Sequence, residues 1–224
     1  MAMEKLGEVM AEYEKLGELA VKLVRYRYLV MNSILFPVVG LAVTVIWLLW
    51  SVIAVFFKPE IGVEFYVLIW LSFFVPIYFI VMVLLKIFWK NIRFISKYSA
   101  AKGLKKKWYG YVFNIAFSIP FILAYAIPPL LPLWRMYSWY IALLTAYATI
   151  ALTYERDLRK NLPEFSTRAY ALASTLMAGG LPLIFYTVYT IGDSDITAKI
   201  SFILAAVVLL FVGITELSRA EKLE

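Results

Sequence analysis

Residues 61–97 read IGVEFYVLIWLSFFVPIYFIVMVLLKIFWKNIRFISK. From Ile61 to Ile87 the only charges are Glu64 and Lys86, one near each end. A helix needs about 20 apolar residues to cross a hydrocarbon layer of roughly 30 Å, so this stretch predicts a membrane span. Directly behind it, Lys86, Lys90, Arg93 and Lys97 stand four, three and four residues apart. That spacing predicts a helix that continues out of the membrane with its cations on one face. Because Lys and Arg beside short loops stay on the cytoplasmic side, the stripe also orients the span.

Working outward, five further stretches meet the same length and polarity requirement: about 29–57, 109–127, 133–154, 169–191 and 196–214. Lys58, Pro59 and Glu60 separate the first span from the second (61–87), and Pro128, Pro129 and Pro132 break what would otherwise be one overlong element. Gly192 to Asp195 makes the last turn. The expected fold is an all-α integral membrane protein, a six-transmembrane-helix bundle preceded by an N-terminal cytoplasmic amphipathic helix. Its divisions are 1–27 for that helix, 28–217 for the membrane domain with a basic cytoplasmic loop at 88–108, and 218–224 for the tail.

Charge supports the orientation throughout. With both termini inside, the cytoplasmic side holds nineteen of the 22 basic and eleven of the 15 acidic residues, a net +8. The other side holds Lys58, Arg135 and Lys199 against Glu60, Glu64, Asp193 and Asp195, a net −1. The expected location is therefore a cell membrane, multi-pass, with both termini cytoplasmic. The long acidic flank before the first span does not read as a cleavable signal peptide.

A hydrophobic fraction of 63% and a mean hydropathy of +0.82 exceed what 224 residues can hide in one water-soluble core. Cys, His and Gln are absent, which excludes disulfides, thiolate nucleophiles and imidazole chemistry. Scarce labile residues beside abundant Lys, Glu and Tyr give a thermophile-like composition. Phosphate loops, serine elbows and metal-ligand clusters are missing, so no catalytic residue, metal or cofactor is assigned. Glu155, Asp157 and Glu164, among Arg156, Arg159 and Lys160, read as a solvated ion-pair loop. No ionisable group stands at mid-span, which disfavours ion-coupled carriers.

Ahead of the first span, Leu6, Val9, Tyr13, Leu16, Ala20 and Leu23 form an apolar helical stripe. Residues 1–20 carry five Glu against two Lys, a face that anionic lipid repels, so a protein partner or the chain's own basic loop is the expected contact. The basic stripe with Lys105, Lys106 and Lys107 is the candidate contact for acidic headgroups, an acidic protein surface or an anionic polymer. Plain retention of positive charge on the cytoplasmic side explains the same residues.

Within the bundle, Pro37, Pro76, Pro120 and Pro182 predict kinks or local unwinding. Gly179, Gly180 and Pro182, matched by Pro76, mark a candidate intramembrane site, and Tyr140 and Tyr147, with Tyr154, offer hydroxyls to a cavity. Thr145, Thr149 and Thr153, with Ala171, Thr175 and Gly179, predict a seam between spans four and five. Spans one, three and five share a pattern of basic residue, Tyr, small polar residue and Pro. It resembles mitochondrial carriers superficially, but Val39, Ile122 and Ile184 replace the acidic residue that family places after each Pro.

These features favour a non-enzymatic, transport-type membrane subunit working within a larger complex, through a protein partner or homo-oligomer. In topology the layout resembles the membrane half of an ABC-2 type exporter. That resemblance implies a partner ATPase at Lys90, Arg93 and Lys97, although only Gly192–Asp195 stands where the family has a re-entrant element. Alternatives are a pore or docking component of a nucleic acid or protein translocation machine, a structural membrane anchor, and a lipid-modifying enzyme using Glu155 and Asp157.

Overall fold

The computed structural model describes residues 2–56, 63–104, 109–126 and 131–222, with side chains in 2–9 and in parts of 43–81 outside the description. All regular structure among them is helical. α1 (Ala2–Phe56) and α2 (Val63–Ala101) are single helices of 55 and 39 residues. At 1.5 Å per residue α1 is about 80 Å long, more than twice the thickness of a bilayer core. α1 runs through residues 27 and 28 without a break, and no helix-breaking residue stands there.

α3 is Tyr109–Ala126, and α4 (Trp134–Ile150) runs through a π-helical turn, Ala151–Glu155, into α5 (Arg156–Asn161). A 3₁₀ turn at Pro163–Phe165 leads to α6 (Ala169–Tyr186), which ends in a second π turn at Thr187–Ile191. After Gly192, at φ 70°, Asp193 caps α7 (Ser194–Glu221), its Oδ1 accepting from the amides of Asp195 (2.8 Å) and Ile196 (3.0 Å). Four stretches among the described residues are long and apolar enough to cross a membrane: Tyr109–Ala126, Trp134–Asn161, Ala169–Ile191 and Ser194–Glu221. The turn residues Lys58 to Glu60, Pro128 and Pro129 lie outside the described residues.

The expected unwinding at proline does not occur at Pro37, Pro120 or Pro182, since each sits inside a continuous helix. Packing explains this at Pro37. A proline has no N–H, so the Ser33 carbonyl one turn earlier loses its intrahelical donor. Gly213 of α7 lies over that carbonyl: a Cβ added there would stand 2.7 Å from the Ser33 oxygen and 2.3 Å from Pro37 Cγ. One to two turns further on, Gly40 of α1 faces Leu209 and Ala206 of α7. Rising numbers in α1 meet falling numbers in α7, so the two helices are antiparallel. Close backbone approach through small residues is how helices associate where lipid removes the hydrophobic drive.

Around this pair, α6 packs on α7, α4 packs on α3, α6 and α7, and α2 lies outermost against α1 and α3. The expected contact of spans four and five is present, but not along the predicted seam. Thr145, Thr149 and Thr153 donate back to the carbonyls of Ile141, Thr145 and Thr149, and Thr175 does the same to Ala171. Gly179 is exposed with open space around it. Hydroxyls that close onto their own helix need no neighbour. The true seam runs through buried Tyr140, Leu143, Tyr147, Ala173, Met177 and their neighbours.

The glycines separate by geometry. Gly213→Ala should cost about 1–3 kcal/mol, because the methyl meets backbone and a proline ring, whereas Gly179→Ala should be neutral or stabilising by up to about 1 kcal/mol. Thermal unfolding of both variants in the same detergent checks this; equal melting shifts would remove the seam from the argument.

Candidate functional site

Three arrangements at the end of the bundle that carries both chain termini concern function: a buried polar layer, an apolar cavity below it, and the extensions of α1 and α2 above it. The polar layer starts from the chain's need to begin α6. The first amides of a helix have no internal partners, and Arg168 supplies no side-chain cap. Glu155 meets that need from the π turn, its Oε1 accepting from Tyr170 N at 2.8 Å and its Oε2 from Ala171 N at 2.9 Å. Thr167 Oγ1 accepts from Ala169 N at 3.1 Å and donates to Glu216 Oε2 at 2.8 Å. Arg219 Nη1 donates to the other oxygen of Glu216 at 2.8 Å.

Glu155 and Glu216 are both fully buried, which corrects the expectation of a solvated loop. Two N–H groups and the positive end of α6 replace the water that the Glu155 carboxylate would otherwise need. The π turn gives the reason it lies inward, since one extra residue per turn rotates Tyr154 and Glu155 toward the core. Tyr28, Asn32, Tyr154 and Tyr170 are buried beside them, with Tyr170 Oη donating to Asn32 Oδ1 at 3.5 Å. Asp157 accepts from Tyr109 Oη at 2.7 Å and from Asn161 Nδ2 at 2.7 Å. Glu155 thus joins the π turn to α6 through both oxygens, while Glu216 and Asp157 each use one oxygen on another element and bond the other within their own helix, to Arg219 and Asn161.

Below this layer α1, α2 and α3 enclose an apolar cavity of about 380 Å³, with Tyr147 and Tyr170 on its inner wall. Phe88 and Trp89 come from α2, and the Trp89 ring lies against Gly110 and 6.2 Å from Phe113. Asn114 and Ser118 are its amide and hydroxyl side chains. Of the predicted intramembrane residues, Tyr147 reaches this cavity and Tyr140 does not. Tyr140 is buried against α6, where its hydroxyl donates to the Met177 carbonyl at 2.8 Å and would stand 2.6 Å from a Cβ at Gly180. At Gly179, Gly180 and Pro182 α6 is therefore unbroken, and the Tyr140 hydroxyl is packed against Gly180. The Pro76 side chain lies outside the described residues.

α2 continues as a helix past the cavity, and Lys86, Lys90, Arg93 and Lys97 are all exposed while Phe88, Ile92 and Ile95 face the core. Lys105, Lys106 and Lys107 lie outside the described residues. The acidic residues Glu14 and Glu18 of α1 share a groove with Tyr98, Lys102 and Glu164. Lys102 bonds Glu164 at 2.5 Å and sits 4.9 Å over the Tyr98 ring. The apolar side chains of the α1 extension are not covered: Met10, Tyr13, Leu16, Leu19 and Leu23 are each more than half exposed, 52% at the least.

Among the described residues no cluster of three or more acidic, Cys or His side chains is placed to hold a metal ion. Sequence reasoning missed Glu216 and the cavity wall. The signals were an acidic residue at the end of an apolar run with Arg219 three residues on, and Asn114 and Ser118 four apart on one helical face. These features define a multi-pass helical membrane protein. No family model, curated protein or solved structure matches the chain.

Two outcomes test this geometry. Glu155→Ala strips two charge-assisted bonds from the start of α6 and should cost about 3 kcal/mol in detergent unfolding, with Glu155→Gln intermediate. For the exposed pair, burial tends to raise the Glu164 carboxyl but the Lys102 hydrogen bond outweighs it, so the value is lowered. Lys102 is raised, chiefly by the hydrogen bond to Glu164. The lowered carboxylate contributes stability above its unfolded value and loses it as pH falls through the folded one. The raised ammonium contributes below its unfolded value and loses it as pH rises through the folded one. The melting difference between wild type and Glu164→Gln should therefore be level from about pH 5 to about pH 10 and close outside that window.

Proposed function

We propose that the chain is a non-enzymatic, transport-type membrane subunit that works within a larger complex, with six helices crossing a cell membrane and both termini in the cytoplasm. The observation that carries this reading is α1. It leaves the bundle as an unbroken helix, and its extension presents Met10, Tyr13, Leu16 and Leu23 to solvent beside an acidic face. A contiguous exposed apolar stripe on a soluble surface marks an interaction site. A protein partner fits better than lipid, because the Glu residues of the extension oppose an anionic surface.

Two further points support it. The length of α1 and α2 accommodates a span and a cytoplasmic extension in each, and the one-sided charge orients both extensions inward. The carboxylates that an enzyme reading would use are engaged in helix–helix bonds. An ATPase is the partner class implied by the topological resemblance to the exporter membrane half.

The test is the native size of the protein extracted in mild detergent, before and after Tyr13→Glu with Leu16→Glu. Wild type should migrate in a complex larger than its 25.8 kDa monomer. The double variant should run as the free chain, its own stability changed by no more than about 0.5 kcal/mol. A monomer in both cases would instead make the chain a self-contained membrane anchor.

A further inference from the structure

We propose that α1, α2 and α3 form a binding site for an acidic membrane phospholipid, one acyl chain in the cavity and the headgroup against Lys86, Lys90 and Arg93. The cavity, about 380 Å³, is within the roughly 300–1,000 Å³ of sites that hold small ligands. Its walls are overwhelmingly apolar, and α3, which forms one of them, is long and apolar enough to cross a membrane, so a hydrocarbon chain matches its chemistry.

The register of α2 places the headgroup. Leu85 and Trp89 line the cavity, and Arg93 follows Trp89 by four residues, so it stands on the same face one turn nearer the terminus-bearing end. Lys86 and Lys90 flank that face, and all three cations are exposed. A chain lying past Trp89 therefore brings its phosphate to three positive side chains. Asn114 and Ser118 of α3 add an amide and a hydroxyl to the otherwise apolar wall deeper in the cavity. α3 has no acidic side chain, Glu64 of α2 stands near the opposite end of that helix, and the neighbouring Asp157 is bonded to Tyr109 and Asn161.

Cytoplasmic retention requires positive charge near a span but not its alignment with a cavity. That alignment separates a binding site from a topology signal, and it is independent of whether α1 recruits a partner.

Purified protein titrated with phosphatidylglycerol and with phosphatidylcholine of the same chains, bound lipid counted by native mass spectrometry, tests the site. Phosphatidylglycerol should bind at least tenfold more tightly. Lys86→Gln, Lys90→Gln and Arg93→Gln together should lower its affinity by about fivefold per charge and leave phosphatidylcholine unchanged. Ser118→Phe should weaken both lipids by filling the cavity. As a check that needs no cavity variant, chain-brominated phosphatidylglycerol should quench wild-type fluorescence more than that of Trp89→Phe. Equal binding of the two lipids, a preference that survives the triple substitution, or identical quenching with and without Trp89 would each overturn the proposal.

Discussion

The contact between Gly213 and the Pro37 turn governs how the chain closes on itself. Proline removes a donor from α1 and leaves the Ser33 carbonyl facing outward, and only a residue without a side chain can lie over it. The defect in one helix and the missing Cβ in the other fit together, bringing the first and last helices into backbone contact. That single approach places Tyr28 and Asn32 of α1 at the same end as Glu216 of α7. The polar layer is assembled there because the seam leaves it nowhere else to form.

The layer solves a problem peculiar to membrane proteins. A helix start inside or beside hydrocarbon has unpaired amides, and a carboxylate there has no water. Glu155 and the start of α6 satisfy one another, and Thr167 links that junction to Glu216. The π turn that ends α4 makes this possible by turning Glu155 inward by about one residue's rotation. Below the layer, bulky aromatic side chains of α1, α2 and α3 keep the helices apart and leave the cavity. Above it, the α1 extension leaves its apolar side chains exposed while α2 stays packed on the core through Ile92, Ile95 and Tyr98, and the two meet in a groove with Glu14, Glu18 and Lys102.

Much of this was legible in advance because hydropathy has only one physical use in lipid. The apolar run lengths and proline turns yield the helical class and place the starts of the segments at 109, 134, 169 and 194 to within two residues, although two of them run seven residues further than the apolar runs, to 161 and 221. The Lys86 to Lys97 spacing indicates a helix with its cations exposed, and that helix is present in α2. Partner choice was not legible. Thr145, Thr149 and Thr153 have the spacing of a seam, yet a threonine hydroxyl closes equally well on its own helix. Gly180 looked like a break, whereas its role depends on where the Tyr140 hydroxyl arrives from another helix.

Composition and periodicity thus dictate on their own that the chain is a helical membrane protein, because burial of backbone polar groups in lipid admits few alternatives. Which glycine lies in open space and which is a contact, which glutamate is exposed and which buried, and whether a basic stripe adjoins a cavity were decided by tertiary structure. Each depends on the distance between groups far apart in the chain, from Pro37 to Gly213 and from Glu155 to Tyr170, and no local pattern encodes that distance.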